Sequence, residues 1–215
     1  MKVAYRVDWV RVAIRKVVRR SMELGYVVKS WRKSVGIIIR KPNKLDYGNP
    51  SSYRIINLLE VMGKVVERVV SRRLEKWGQR GMGDEQYGGR RGRSCMDGVG
   101  RLYEKWEKGG KKDVLLCMDL KGGYENVGVG KCMERMKGVG VDKYLVKWVS
   151  SFGREREVSV RVGKRISGKG MMRGGTVQGS PLSRIVFMYL LGGVLEEVRK
   201  EGVEGIEMVG CVDDV

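Results

Sequence analysis

The sequence contains no histidine at all, and only 3 prolines and 2 phenylalanines in 215 residues. Without imidazole there is no Ser-His-Asp or Cys-His nucleophile, no histidine general base and no zinc site that needs a ring nitrogen. Acidic residues are scarce beside basic ones: 25 Asp and Glu against 44 Lys and Arg give a net charge of +19. Such a charge calls for a polyanionic partner, either nucleic acid or an anionic membrane surface. Long apolar runs are also missing. The longest, Ile185–Leu195, falls well short of the ~18 residues needed to cross a bilayer. Met1–Arg20 lacks the apolar core of a signal peptide, so an intracellular protein of nucleus or cytoplasm is expected, not a secreted one. The four cysteines, Cys95, Cys117, Cys132 and Cys211, show no C-x-x-C spacing and read as reduced core residues.

Glycine is what abounds, with 32 residues, about twice the usual ~7%. In helices each is expected to cost about 1 kcal/mol relative to alanine, and the bland reading of the excess is compositional drift. The apolar positions Val10, Ala13, Ile14, Val17 and Val18 recur at helical spacing among Arg11, Arg15, Lys16, Arg19 and Arg20, which predicts an amphipathic basic helix over residues 9–24. Ser34–Arg40 is a β-branched run of strand length, closed by the charged turn Lys41-Pro-Asn-Lys44. Leu59, Met62, Val66, Val69, Val70, Leu74 and Trp77 predict a long helix that the glycine-rich stretch 78–92 should break. A helix is expected over 101–107, with Leu102 and Trp106 inward, and another over 131–152. Val158–Val162 alternates like a half-exposed strand, and Leu182–Val198 is helical after Ser180-Pro181.

Two further apolar runs end in carboxylates. Val114-Leu-Leu-Cys-Met118 reads as a strand covered on both faces and stops at Asp119, while Ile206–Val212 reads as a strand that delivers Asp213 and Asp214. If a sheet set these strands side by side, three carboxylates would converge with no histidine among them, a cluster that repels itself without metal. Hard oxygen ligands suit Mg²⁺ or Mn²⁺, and a pair of such ions serves in-line phosphoryl transfer on a nucleic-acid substrate. An Asp-Asp pair at a strand end is also an ordinary solvated turn, so spacing alone leaves both readings open.

Six strings, in order, resemble the fingers and palm blocks of reverse transcriptases, above all those of non-LTR (LINE-like, jockey-type) retrotransposons. They are Lys41-Pro-Asn-Lys-Leu-Asp-Tyr47; Tyr53-Arg-Ile-Ile-Asn-Leu-Leu59 with Gly63-Lys-Val-Val-Glu67; Gln86-Tyr-Gly-Gly-Arg-Arg-Gly-Arg-Ser94; Met118-Asp-Leu-Lys-Gly-Gly-Tyr-Glu-Asn-Val127; Gly175-Thr-Val-Gln-Gly-Ser-Pro-Leu-Ser183; and Cys211-Val-Asp-Asp214. The resemblance implies an α+β (α/β) right-hand polymerase fold: a basic N-terminal segment (1–30), fingers (31–112) and a palm (113–215) whose sheet is incomplete, with no thumb. It implies RNA-templated DNA synthesis on an RNA template and DNA primer from deoxynucleoside triphosphates, with no membrane partner. Asp119, Asp213 and Asp214 are then the catalytic and metal-binding aspartates, holding two Mg²⁺ (or Mn²⁺) ions, and the carbonyl of Leu120 is a further ligand beside the nucleotide. Tyr124 is implied as a steric gate under the incoming sugar, and Gln178 and Gly179 as lining of the nucleotide and template pocket. Arg54, Arg40 and Lys41 are implied to grip the triphosphate, and Arg90, Arg91 and Arg93 the template backbone.

The scarcity of proline recurs in these blocks, since the family usually has Pro where this chain has Ile55, Arg91, Val177 and Arg184. Gly123 stands for a small apolar residue, and Glu125 for an aspartate. A palm that stopped at residue 215 would lack the return strand of the aspartate hairpin, so weak activity of the 215-residue chain alone is expected. Three other readings are a catalytically inactive nucleic-acid-binding remnant, a group II intron maturase-type reverse transcriptase, and a membrane-surface protein resting on the basic helix at 9–24.

Overall fold

A computed structural model of the chain describes residues 7–109, 114–120, 122–201 and 206–211. The first helix, α1 (Asp8–Leu24), follows the basic amphipathic repeat and ends at Gly25, whose φ of +61° lets its N–H reach the Ser21 and Met22 carbonyls. A side chain could not stand there, because its Cβ would lie 2.5 Å from Cβ of Lys147. β1 (Lys33–Arg40), where the β-branched run predicts a strand, pairs antiparallel with β2 (Tyr53–Leu59), Ile37 standing opposite Ile56. β3 (Glu157–Val162) adds in parallel to β1, and β4 (Arg165–Ile166) and β5 (Gly170–Met171) pair antiparallel to β3. The result is an open mixed sheet of order β2-β1-β3-β4.

Helices supply most of the core. α2 (Val61–Gly81) packs on α6 (Pro181–Lys200), α6 on α4 (Val129–Gly138), and α4 on α5 (Lys143–Phe152). Val66, Val70, Leu74, Met136, Trp148, Phe152, Leu182, Ile185 and Met188 are all buried in one cluster. α3 (Cys95–Lys108) opens with a capping box in which Ser94 and Asp97 satisfy each other's backbone N–H groups. No helix among the described residues is long and apolar enough to cross a membrane.

Several expectations are corrected. The helix expected over 131–152 is two helices, because the backbone turns at Gly140 with φ of +81°. α2 runs past Gly78 to Gly81, and the reason is contact. A Cβ on Gly192 of α6 would lie 2.6 Å from the Gly81 carbonyl oxygen, and one on Gly81 would lie 2.3 Å from the Tyr189 ring. Glycine here permits close helix approach, which a drift in composition would not explain. Trp106 points outward, since the face of α3 that packs carries Gly98, Arg101 and Lys105. Of the cysteines only Cys132 is in the core; Cys117 and Cys211 are exposed and Cys95 is half-buried, all four as free thiols.

The two aspartate-bearing strands are the largest difference. Residues 114–120 have no strand pairing, and Val114, Leu116 and Met118 are 92%, 75% and 84% exposed. Residues 206–211 make a single parallel bridge, Gly210 to Gln86. A strand buried on both faces needs neighbours on its edges as well as its faces, and among the described residues none of the strands pairs with 114–120.

Candidate nucleotide and template site

The segment 175–180, which links the sheet edge to α6, is fixed from four sides. Gly175 has φ of +73° and sits where a Cβ would be 2.1 Å from the Glu125 carbonyl oxygen, so only glycine fits. Thr176 donates its N–H to the Tyr124 carbonyl at 2.7 Å and its hydroxyl to the same oxygen at 3.2 Å. The Gln178 carbonyl accepts the N–H of Asn57, in β2, at 2.8 Å. At Gly179 φ is +111°, and a Cβ would lie 2.6 Å from the Asn57 carbonyl oxygen. Ser183 donates its hydroxyl to the Val177 carbonyl at 2.9 Å. The fold thus brings together two of the sequence-predicted elements, Tyr124 and the Gln178–Gly179 pair. Tyr124 is half-buried and leans on Phe187 with ring centroids 5.7 Å apart. A Cβ on Gly123 would meet that Phe187 ring at 2.9 Å, which accounts for glycine where the resembled family has a larger residue.

Beneath this segment lies a polar node in the core. Glu67 of α2 and Arg156, just before β3, are 1% and 2% exposed and form an ion pair at 3.1 Å. The second oxygen of Glu67 accepts the Ser180 hydroxyl at 2.6 Å. Ser180 is the N-cap of α6, its Oγ accepting from the N–H groups of Leu182 and Ser183 at 3.1 and 3.4 Å. Arg156 is held in turn by the Phe152 carbonyl at 2.8 Å and lies 4.0 Å from that ring's centroid. Burial pushes the Glu67 carboxyl up and the Arg156 guanidinium down, and each partner's charge pulls the other back toward the ionised form.

Sequence reasoning quoted Glu67 and Ser180 only as parts of motifs and missed Arg156. The signal for Glu67 was available: it falls in phase with Gly63, Val66, Val70, Ser71 and Leu74, all on the buried face of α2. A carboxylate on that stripe requires a buried cation. Nothing in the sequence pattern singles out Arg156 as that cation.

The cationic residues divide. Register places Arg54 opposite Ile39 and Arg40 opposite Tyr53, so the two arginines stand on opposite faces of the hairpin. A single triphosphate cannot be gripped by both from within the sheet, and Arg40 rests over the Tyr47 ring at 5.2 Å. Lys41, half-buried, donates its N–H to the Ser52 carbonyl at 2.9 Å. Arg90 donates to the Gly83 and Gln86 carbonyls, and Arg93 donates to Asp84 and lies over the Tyr87 ring at 5.3 Å. These two shape their own loop, whereas Arg91 is exposed. Partial burial and the neighbouring Arg93 push the Arg90 guanidinium down.

Asp119 and Leu120 are exposed at the end of the unpaired run, while Asp213 and Asp214 lie outside the described residues. The segment leading to that pair is docked on α3 by alternate residues. Glu207 pairs with Arg101 and Lys105, Val209 stands against Gly98, and burial, with Cys95 beside it, pushes the Cys211 thiol up to about 11. Extended residues 207–211 and helical residues 95–105 span similar lengths, roughly 13 and 15 Å at ~3.3 and ~1.5 Å per residue, so the two run side by side in register. Among the described residues no three metal-capable side chains gather.

Comparison with known proteins supplies the family. The family model for reverse transcriptase (RNA-dependent DNA polymerase) matches residues 39–215. The chain is similar to "Probable RNA-directed DNA polymerase from transposon BS" of Drosophila melanogaster, 28% identical over 172 residues, which is 77% of this chain and 19% of that protein. It is also similar to a 115 kDa protein of the type-1 retrotransposable element R1DM of Drosophila melanogaster, 31% identical over 141 residues, covering 65% of this chain and 14% of that protein. The chain therefore spans less than a fifth of either relative's length. With a family match over most of its residues, relatives encoded by retrotransposons and an open α and β fold that suits part of a fingers-and-palm architecture, the chain belongs to the reverse transcriptase family as a domain of the non-LTR retrotransposon type.

Proposed function

We propose that the chain carries out RNA-templated DNA synthesis, adding deoxynucleotides to the 3′-hydroxyl of a DNA primer inside the cell, with residues 31–112 as fingers and 113–215 as palm. One observation carries the reading: the family match extends from residue 39 to 215 and so takes in both Asp119 and the Asp213-Asp214 pair. The donor set fits hard divalent ions, because three carboxylates stand in a chain without a single imidazole. When bound, Mg²⁺ or Mn²⁺ would lower the pKa of the primer hydroxyl and neutralise charge on the leaving pyrophosphate. Asp119, Asp213 and Asp214 would hold the two ions, with the Leu120 carbonyl beside them. The Tyr124 ring would press on the sugar and exclude a 2′-hydroxyl. Gly179, bare of a side chain, would let a base pair approach the backbone at Gln178. Arg54 would hold the triphosphate from its face of the hairpin, and Arg40 and Lys41 would add positive charge at the hairpin's end without gripping the same phosphates. Arg91, with Arg90 and Arg93 shaping its loop, would meet template phosphates, and the net charge of +19 supplies the remaining backbone affinity.

The exposure of the run that bears Asp119 favours one second reading, an inactive domain that still binds nucleic acid. Labelled deoxynucleotide incorporation on a primed RNA with Mg²⁺ or Mn²⁺, together with binding of that RNA, separates the two. The polymerase reading expects incorporation that Asp119→Asn reduces about 100-fold or more, with RNA binding unchanged. Tight RNA binding without incorporation in either form would favour the inactive domain.

A further inference from the structure

The polar node under segment 175–180 has a geometry that stabilisation alone does not require. A buried ion pair can generally be replaced by apolar side chains of similar volume without loss of stability. Here, however, the Glu67 carboxylate is shared: one oxygen takes Arg156 at 3.1 Å and the other takes the Ser180 hydroxyl at 2.6 Å. Because that hydroxyl donates to Glu67, its lone pairs are turned toward the N–H groups of Leu182 and Ser183, which it caps at 3.1 and 3.4 Å. One residue earlier the chain passes Gly179, which has no room to move toward β2, where the Asn57 carbonyl would stand 2.6 Å from a Cβ. One residue before that, the Gln178 carbonyl is held by the Asn57 N–H at 2.8 Å. The Gln178–Gly179 backbone is therefore clamped between β2 on one side and Glu67, through Ser180, on the other. Arg156 is itself held in place: its Nε is tied to the Phe152 carbonyl, its Cζ lies over the Phe152 ring, and Nη1 has no hydrogen-bond partner among the described residues.

We propose that Glu67 and Arg156 are positioning residues for the nucleotide and template pocket: acting through the Ser180 hydroxyl, they set the position of the Gln178–Gly179 backbone against β2. The role rests on the polymerase reading for its consequence in synthesis, but the positioning itself can be measured without it. The discriminating variant is Glu67→Leu with Arg156→Met, which fills the node with apolar groups and leaves Ser180 unanchored. Amide hydrogen exchange is expected to quicken at least tenfold at Asn57, Leu182 and Ser183. Val141, whose N–H is bonded to the Met136 carbonyl in the turn between α4 and α5, is expected to keep its rate. A role in stability alone would leave all four amides unchanged or quicken them together, and either result overturns the proposal. Should the double variant fail to fold, Ser180→Ala carries the same expectation at Asn57, and Ser180→Thr, which keeps the hydroxyl, is expected to restore the slow rate; equal rates in both would overturn it. In primer extension the deoxynucleotide KM is expected to rise about tenfold with kcat changed far less. Local quickening with an unchanged KM would overturn the link to nucleotide binding. No extension by the wild-type chain would instead count against the polymerase reading and leave the exchange result to decide the clamp.

Discussion

Two regions that the sequence marks with equal emphasis are built very differently. The segment around Gln178 and Gly179 is tied to β2, α2, α6 and the Tyr124 turn by hydrogen bonds and by glycines that admit no side chain. Among the described residues the run ending at Asp119 shows none of this, with Val114, Leu116 and Met118 open to solvent. The difference lies in where each finds its partners. Segment 175–180 meets helices and a hairpin that bury their own apolar faces and need nothing further. An apolar strand such as 114–118 is complete only when paired strands flank it, and residues 206–211, which the sequence marks as the companion, lie along α3.

The comparison breaks first at the polar node. Arg156→Ala would leave the buried Glu67 carboxylate without its cation, and urea unfolding is expected to show a loss of about 3–5 kcal/mol. A paired substitution sharpens it next. Leu182→Ala, in the core against α2, is expected to cost about 2–5 kcal/mol, whereas Leu116→Ala, equally apolar but exposed, should change stability by no more than about 0.5 kcal/mol. A loss at Leu116 as large as that at Leu182 would mean the aspartate run is buried in solution. The smallest effect is one of pH. Partial burial alone would raise Glu207, but Lys105 and Arg101 outweigh it and hold its carboxyl below the ordinary value of 4.5. A depressed folded-state pKa stabilises above the unfolded value and is lost as pH falls through the folded one. Protection of the Tyr87 and Gly210 amides, measured relative to the intrinsic exchange rate at each pH, is therefore expected to fall on acidification below about pH 4.5, and Glu207→Gln should remove that dependence.

Much of the fold was legible because local periodicity and final environment agree. α1, β1, α2, β3 and α6 stand close to where apolar spacing and turn residues placed them, whereas β2 takes in Leu59, which the spacing had assigned to the helix. The split between α4 and α5 was missed because Val139 and Val141 continue an apolar pattern across Gly140, whose positive φ turns the chain. Trp106 was misplaced because apolarity says what gains from burial and not what stands ready to cover it. In the site, the motifs drew attention to Tyr124, Gln178 and Gly179, which the fold brings together. They said nothing of Arg156, whose partner lies 89 residues away in the chain. Opposite faces for Arg40 and Arg54 follow from strand register, which the β-branched run alone does not reveal.

The most direct test of the central claim is template-directed incorporation of a single labelled deoxynucleotide on a primed RNA, comparing the chain with its Asp213→Asn, Asp214→Asn form. The account predicts that only the nucleotide complementary to the template is added, at a low rate, and that the double variant adds none. Addition that ignores the template, or that survives loss of both aspartates, would contradict it.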